Sequence, residues 1–577
     1  MEKMTDKTLL RDIDSLYHAM QGRAMFNVSP VAISLAFLDW YLHFANSPGK
    51  ITETSFSMFR TIEKIAGRNT ELFFHGKHEK KERTLWDVRF KEPSWQKEPY
   101  RTLYKSFLGV QKWWQDMTSN VPGVTPHHEN VVSFVGKQML DILSPSNYPF
   151  TNPEVINLTV KKGGMNLVSG MLNLMEDVKR QVSGERPFGS EAYTVGKNLG
   201  ITPGKVIFRN RLMELIQYSP VTEDVYHEPI LIIPAWIMKY YILDLSPENS
   251  LVKYLVDKGH TVFMISWKNP GKEDRETDMD DYLNLGIMKA ADMISEVMPD
   301  RRFHATGYCL GGTLLAIAAA AMARDGDHRI KTMTLLATQV DFTEAGELML
   351  FIDDSQITYL EDIMNSQGYL DTRQMAGAFQ ILRSNDLVWS RIVHDYMIGE
   401  RVALNDLMAW NTDTTRMPFK MHSRYLRELF LNNDLFEGRF LAGGRPVAIS
   451  DIHVPVFLVS TEKDHVAPWA SVYKFHLASD AESITFVLTS GGHNAGIISE
   501  PGHPGRHYRI STSIEKDCYR PPEAWFKDTP VNDGSWWISW EQWLSGHSGM
   551  KEAPPEIKNF LENEFPYDAP GRYVMTP

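Results

Sequence analysis

A strand, a glycine-rich turn and a buried helix follow one another directly, and they constrain the fold more than any other feature. Arg302–Thr306 is strand-like, and Thr313–Ala323 has the composition of a buried helix. Between them, Gly307-Tyr308-Cys309-Leu310-Gly311 has the form of a nucleophile elbow with a thiol where the commoner version has a serine hydroxyl. The glycines let the backbone pass through a sharp turn, and the following helix N-terminus favours a thiolate at Cys309.

Short apolar runs alternate with helical segments over most of the chain beyond residue 200. Runs typical of strands cover 206–208, 229–234, 261–267, 332–337, 454–460 and 483–488, and helical patterns cover 249–258 and 280–298. Continuous apolar strands that alternate with helices predict a parallel sheet that is buried on both faces.

The first third of the chain has a different pattern. Helices are predicted at 31–44, 52–66, 101–118, 129–143 and 153–182. We therefore predict a mostly helical N-terminal domain over 1–184, with a role in packing and interaction, and a second domain over 185–577. Within the second domain, about 343–445 has few strand signals and is interpreted as a cap inserted over the sheet.

Two further candidate residues, like Cys309, come shortly after the carboxyl end of a predicted strand. Asp464 follows the strand at 454–460, and His493 follows the strand at 483–488. Catalytic groups of open parallel sheets lie beyond the carboxyl ends of the strands, and the chain order of nucleophile, acid and histidine is that of the α/β-hydrolase fold. We predict that His493 is the general base for Cys309 and that Asp464 orients His493.

Other groups near these residues have less defined roles. The backbone N–H of Leu310 is the predicted first donor to an oxyanion, and the loop after Pro234, at Trp236, is the predicted source of the second. His465 has two interpretations that stay open, support of the catalytic histidine or a hydrogen-bonded loop position. Cys518 has no base or glycine-rich turn beside it and is expected to be inert.

Composition excludes several functional classes. A net charge of -12 argues against a general nucleic-acid binder. The sequence shows no zinc-ligand spacing and no phosphate-binding loop, so neither a metal nor a cofactor is expected. Two cysteines, no apolar signal core and no apolar run of about 18 residues lead us to expect a cytoplasmic protein without a transmembrane segment.

A nucleophilic thiol suggests a substrate class. Cysteine exchanges readily with thioesters because the bond types on the two sides match, so an acyl thioester such as an acyl-CoA is the expected substrate. An acyl group on Cys309 that is released to water would make the protein a thioesterase. Release to a bound hydroxyl would make it an acyltransferase, and an apolar cap would favour this outcome by excluding water.

Blocks distributed over most of the chain resemble the polyhydroxyalkanoate synthases, in particular the single-subunit class I type. These blocks are Ser144–Asn147, Thr151–Glu154, Pro234–Leu245, Gly259–Phe263, Ser266–Pro270, Asn385–Trp389, Asp464–Trp469, Gly492–Gly496 and the tryptophan-rich tail around Gly534–Trp540.

The resemblance implies a specific activity. Cys309 would carry a growing polyester, His493 would be the general base, and Asp464 would activate His493 or the incoming hydroxyl through it. The substrates would be (R)-3-hydroxyacyl-CoA thioesters, with short acyl groups such as 3-hydroxybutyryl, and CoA would be released. The resemblance also implies a homodimer, an N-terminal domain associated with polymer granules, and granule-associated protein partners.

Two alternatives to a polyester synthase stay open at this point. One is a cysteine-dependent thioesterase or hydrolase of the α/β-hydrolase fold, similar to the cysteine-using dienelactone hydrolases, which would release a soluble acid. The other is a granule-binding or scaffold protein without catalysis, whose cellular effect would not depend on Cys309.

Overall fold

The computed structural model describes residues 10, 13–22, 27–75, 87–372, 374, 388–562 and 564–576, without the side chains of 64–75. The chain divides into two compact units. We call Met1–Ala19, Ser190–Thr372 and Leu404–Pro577 the sheet unit, and Met20–Gly189 with Arg373–Ala403 the helical unit. This division does not test the predicted boundaries at residue 184 and at about 343–445, which stay predictions. Of the block Asn385–Trp389, the first three residues lie outside the described residues.

The main sheet of the sheet unit has 11 strands within the described residues. The strands are β1 (Gly204–Arg209), β2 (Met213–Tyr218), β3 (Ile230–Ile233), β4 (Val262–Trp267), β5 (Phe303–Tyr308), β6 (Ile330–Leu336), β7 (Val456–Thr461), β8 (Ser483–Thr489), β9 (His507–Ile514), β10 (Val531–Asp533) and β11 (Tyr567–Asp568). Their order across the sheet is β10-β9-β8-β7-β6-β5-β3-β4-β2-β1-β11.

The centre of this sheet is parallel and its margins are antiparallel. Strands β4, β3, β5, β6, β7 and β8 pair in parallel, whereas β1, β2, β9, β10 and β11 pair antiparallel. The expectation of a parallel sheet therefore holds for the six predicted strands in the centre. It fails for the predicted strand β1, which pairs antiparallel with β2 at the margin. The other marginal strands lack the continuous apolar character that reveals a strand buried on both faces.

The sheet unit also contains α-helices, two π-helical segments and three short strand pairs in its described residues. The helical segments are Leu251–Asp257, Met279–Asp281, Tyr282–Met288 and Lys289–Val297, then Leu310–Arg324, Asp354–Gln367, Asp406–Asn411, Phe419–Arg424 and Tyr425–Leu431, and finally Trp469–Tyr473, Phe475–Ala478, Pro522–Asp528 and Trp537–Gly546. Residues 310–322 are all buried, as expected for the helix after the glycine-rich turn. Pairs of two-residue strands join 225–226 with 551–552, 369–370 with 417–418, and 441–442 with 445–446.

The helical unit contains six long helices in its described residues. They are α1 (Pro30–Ala45), α2 (Pro48–His75), α3 (Tyr100–Thr118), α4 (Pro126–Ile142), α5 (Pro153–Lys161) and α6 (Met165–Ser183), followed much later in the chain by the π-helical segment Ile392–Ile398. The prediction of a single helix over 153–182 is wrong, because the helix is interrupted at Gly163 and Gly164, where φ is +57° and +86°. Only glycine adopts such angles without strain, so the pair ends one helix and starts the next.

Helix α6 lies in this unit with its polar face inward. Asn166 and Asn173 donate to the carbonyl oxygens of Met397 and Asp395 at 2.8 and 2.9 Å, and a Cβ on Gly170 would lie 1.9 Å from the Tyr396 carbonyl oxygen. The opposite face exposes large apolar side chains to the outside: Met165, Leu167, Val168, Met171, Leu172, Leu174, Met175, Val178 and Val182. No helix in the described part of the chain is long and apolar enough to cross a bilayer.

Candidate active site

The turn between β5 and the helix Leu310–Arg324 holds Cys309 in a strained conformation. Its φ and ψ are +52° and -124°, in the left-handed half of the map that residues with side chains rarely occupy. A Cβ on Gly307 would lie 2.4 Å from Gly312 Cα, and one on Gly311 would lie 2.3 Å from the Ile233 carbonyl oxygen. The glycines are therefore required by close backbone approach, as the sequence pattern predicts for a nucleophile elbow.

Asp464 has a buried carboxylate that accepts several hydrogen bonds. Its side chain is 0% exposed, and Oδ1 accepts from the backbone N–H groups of Val466 and Ala467 at 2.9 and 2.8 Å. Oδ2 lies 2.7 Å from Nδ1 of His493. Because the carboxylate only accepts, this contact places a proton on Nδ1 and directs Nε2 away from Asp464.

The electrostatics of His493 agree with a functional imidazole. Burial on its own lowers the pKa of His493, but the charges of Asp464 and Cys309, and hydrogen bonds with both side chains, outweigh burial and hold the pKa well above its usual range. The structure thus brings together all three residues that the sequence places after separate strands. A perturbed pKa at a convergence of nucleophile, base and acid is typical of a catalytic site.

Of the two predicted oxyanion donors, Leu310 directly follows Cys309, and Trp236 lies two residues after Pro234, whose backbone passes close to Gly311. Leu310 is the first residue of its helix, so its N–H has no intrahelical acceptor. The Trp236 indole stacks on Tyr282 with ring centroids 4.3 Å apart, and the Trp236 carbonyl oxygen accepts from Thr415. The backbone N–H of Trp236 is the predicted second donor, and this role stays a prediction.

The two remaining residues singled out from the sequence lie in different places. The His465 carbonyl oxygen accepts from the Glu347 N–H at 3.2 Å, which gives its backbone a structural role, and a role for its ring stays a prediction. Cys518 is exposed and lines a cavity of about 580 Å³ with Tyr473, His476 and Arg520. This cavity adjoins the N-terminal end of β8, whereas His493 follows its C-terminal end.

Comparison with known protein families finds matches over most of this chain. A family model described as "Poly-beta-hydroxybutyrate polymerase (PhaC) N-terminus" matches residues 86–255. A second model, described as "Poly-beta-hydroxybutyrate polymerase N terminal", matches residues 9–50. A model described as the alpha/beta hydrolase fold matches residues 228–499, which confirms the predicted fold class.

Curated relatives extend the likeness to most of the chain. A poly(3-hydroxyalkanoate) polymerase of Methylorubrum extorquens is 41% identical over 492 residues, covering 85% of this chain and 80% of the relative. The corresponding subunits PhaC of Rhizobium meliloti and Cupriavidus necator are 38% and 33% identical, covering 85% of this chain and 79% and 83% of the relatives. This chain belongs to the poly(3-hydroxyalkanoate) polymerase family. The protein is accordingly an enzyme of the acyltransferase type, as the resemblance predicted, and the hydrolase alternative is not favoured.

Residues of the polymerase that sequence patterns did not reveal lie in the predicted cap. Tyr425 packs against Phe342 and Phe430, with ring centroids 6.3 and 5.1 Å away. Burial, and then the charge of Cys309, raise the pKa of Tyr425 far above its usual value, so a neutral phenol lies near the nucleophile. Burial lowers the pKa of the neighbouring His422 to about 4, which keeps that imidazole neutral. Neither residue stands out in sequence because the helical segments Phe419–Arg424 and Tyr425–Leu431 are far from Cys309 along the chain.

The described residues of the polymerase contain no group of three or more His, Cys, Asp and Glu side chains arranged to hold a metal ion.

Proposed function

We propose that this polymerase converts (R)-3-hydroxyacyl-CoA thioesters, with short monomers such as 3-hydroxybutyryl-CoA, into a polyester carried on Cys309, with release of CoA. The observation that carries the proposal is the 2.7 Å contact between His493 and the buried carboxylate of Asp464, beside a thiol in a strained turn. No metal and no cofactor beyond the CoA thioester enters the proposed reaction.

The first step acylates the enzyme. The raised pKa of His493 lets Nε2 take the Cys309 proton before the substrate arrives, and the thiolate sulfur then attacks the thioester carbonyl carbon. The N–H of Leu310, with a donor from the loop at Trp236, stabilises the oxyanion. The bond between the carbonyl carbon and the CoA sulfur then breaks, and His493 returns the proton to that sulfur.

The second step extends the chain. The hydroxyl of another 3-hydroxyacyl-CoA gives its proton to His493 and attacks the Cys309 thioester, so an ester forms and the cysteine sulfur leaves with that proton. The product is a longer chain that is still a CoA thioester, and it acylates Cys309 again with release of CoA. Asp464 stabilises the imidazolium in both steps.

Transfer to a hydroxyl requires that water stays away from the acyl-enzyme. The aromatic cluster of Phe342, Tyr425 and Phe430 supports this requirement, because it supplies an apolar surface near the nucleophile. We expect purified protein given 3-hydroxybutyryl-CoA to release CoA while the solution becomes turbid with polymer. CoA release with free 3-hydroxybutyrate as the only product would contradict the proposal and indicate a thioesterase.

Location at polymer granules in the cytoplasm is a further part of the proposal. Its support is the outward apolar face of α6, since an insoluble polyester offers an apolar surface of matching character. We propose a homodimer as the catalytic form, with granule-associated proteins as partners. Sedimentation equilibrium with and without substrate tests the dimer. A monomer at working concentration with full activity would contradict that part.

A further inference from the structure

Two residues next to the proposed catalytic groups are joined to each other. Tyr308 precedes Cys309, and Asn494 follows His493. The Tyr308 hydroxyl donates to Oδ1 of Asn494 at 2.5 Å, although the two residues are 186 positions apart in the chain. Burial raises the pKa of Tyr308 well above its usual value, so this phenol keeps the proton that it donates.

The amide of Asn494 has a second partner on its other side. Its Nδ2 donates to Oδ1 of Asn411 at 3.4 Å. Asn411 is the last residue of the helix Asp406–Asn411, which lies in the section interpreted as a cap. One amide thus contacts both the strand that carries the nucleophile and a helix of the cap section.

The histidine loop needs such a connection for a geometrical reason. Residues 491–497 have no regular secondary structure, and Asp464 holds the His493 ring through Nδ1 alone. The ring can pivot about this contact, which changes the separation of Nε2 from the Cys309 sulfur, its other hydrogen-bond partner. The Tyr308 ring also lies against His493, with centroids 5.9 Å apart and planes inclined by 35°. The second anchor is therefore attached to the residue adjacent to the nucleophile itself.

We propose that Tyr308 and Asn494 are positioning residues that hold His493 in register with Cys309, and that Asn411 lets the cap section act on the same amide. The inference rests on the proposed function of Cys309 and His493, and it adds residues that act through them. Tyr308 and Asn494 themselves do not touch the reacting atoms.

The test measures how fast iodoacetamide alkylates Cys309 as a function of pH, because this rate reports the thiol and imidazole pair without substrate or polymer. All variants carry Cys518→Ser, which removes the exposed second thiol. Tyr308→Phe removes one oxygen and keeps the ring against His493. We expect alkylation at pH 7 to fall about three- to tenfold, the range for one lost hydrogen bond, and the half-maximal pH to rise.

A double-mutant cycle identifies the bond that is responsible. Asn494→Ala should lower the rate as much as Tyr308→Phe or more, and the double variant should be no slower than Asn494→Ala, since both changes remove one interaction. In turnover with 3-hydroxybutyryl-CoA, both variants should lower kcat and leave KM unchanged. Asn411→Ala should have a smaller effect in the same direction, because its hydrogen bond is longer.

Matched controls separate positioning from general loss of structure. Tyr508→Phe removes a hydroxyl whose 2.8 Å hydrogen bond goes to Ser539 and not to Asn494 or His493, and it should leave the pH profile unchanged. His493→Ala tests the underlying function: if alkylation does not depend on His493, the proposed catalytic pair fails. If it does depend on His493, but Tyr308→Phe matches the parent or the two changes add, the positioning inference is overturned and the catalytic pair stands.

Discussion

The candidate active site of the sheet unit and helix α6 of the helical unit use burial in opposite ways. The sheet unit encloses apolar strands and takes the side chains of Asp464 and His493 largely out of water beside a half-buried Cys309, each with a hydrogen-bond partner or a charge beside it. Helix α6 of the helical unit instead buries polar side chains against 392–398 and exposes its apolar face. The difference shows that chemistry requires polar groups taken out of water, whereas contact with an apolar surface requires apolar groups left exposed.

The sharpest test of this comparison is Cys309→Ala. We expect CoA release to fall by at least about 10⁴-fold, because no other group in the site can carry the acyl chain. Binding of the variant to polyester particles, measured by co-sedimentation, should equal that of the parent. If a folded variant lost both CoA release and particle binding, catalysis and particle binding would not be separate properties of the sheet unit and the helical unit.

Asp464→Asn should produce the next largest effect. The amide keeps the shape but lacks the charge that opposes the effect of burial on His493, so the pKa of His493 should fall. We expect kcat to drop by about 10²–10⁴-fold with little change in KM. A pH–rate profile that retains the parent's titration would contradict the role of this carboxylate.

Gly170→Ala tests the buried polar face of α6. The added methyl would lie 1.9 Å from the Tyr396 carbonyl oxygen, and this backbone atom cannot easily move away. The helical unit should therefore lose about 2–4 kcal/mol in its free energy of unfolding. Gly49→Ala in α2 is the matched control, since a Cβ there meets nothing within 4 Å. Denaturation monitored by circular dichroism should leave the control as stable as the parent or slightly more stable.

His422→Leu tests a buried imidazole of the sheet unit that lies outside the proposed group of Cys309, Asp464 and His493. With a pKa of about 4 in the fold and 6.5 when unfolded, His422 contributes stability that is complete above pH 6.5 and is lost as the pH falls toward 4. The variant should therefore reduce the acid dependence of the free energy of unfolding by at most about 3 kcal/mol. Denaturant titrations at pH 4.5 and 8 check this, and an unchanged difference between the two would refute it.

The smallest effect is expected on the exposed face of α6. The double variant Met171→Glu and Met175→Glu places charges on residues that are 57% and 62% exposed, so folding should change little. Binding to polyester particles should weaken about tenfold, corresponding to roughly 1.4 kcal/mol of lost apolar contact. CoA release from soluble substrate should be unaffected; weaker catalysis with unchanged particle binding would reverse the comparison.

Local patterns in the sequence predict much of this arrangement. The central strands follow from continuous apolar runs, and the nucleophile turn follows from Gly307 and Gly311 around Cys309. The marginal strand β9, His507–Ile514, was missed because its residues are only partly buried and carry polar groups. The break between α5 and α6 was also missed, although Gly163 and Gly164 were the signal that could have revealed it.

By itself, the sequence determined which residues follow strands, and hence that Cys309, Asp464 and His493 meet at one edge of a sheet, because parallel strands bring their carboxyl ends together. Only the tertiary structure decided that Tyr308 contacts Asn494 and that α6 turns its polar face inward. Amphipathic spacing defines two faces of a helix but does not say which one is buried. That choice depends on contacts between residues that are distant in the chain, such as Asn166 with Met397.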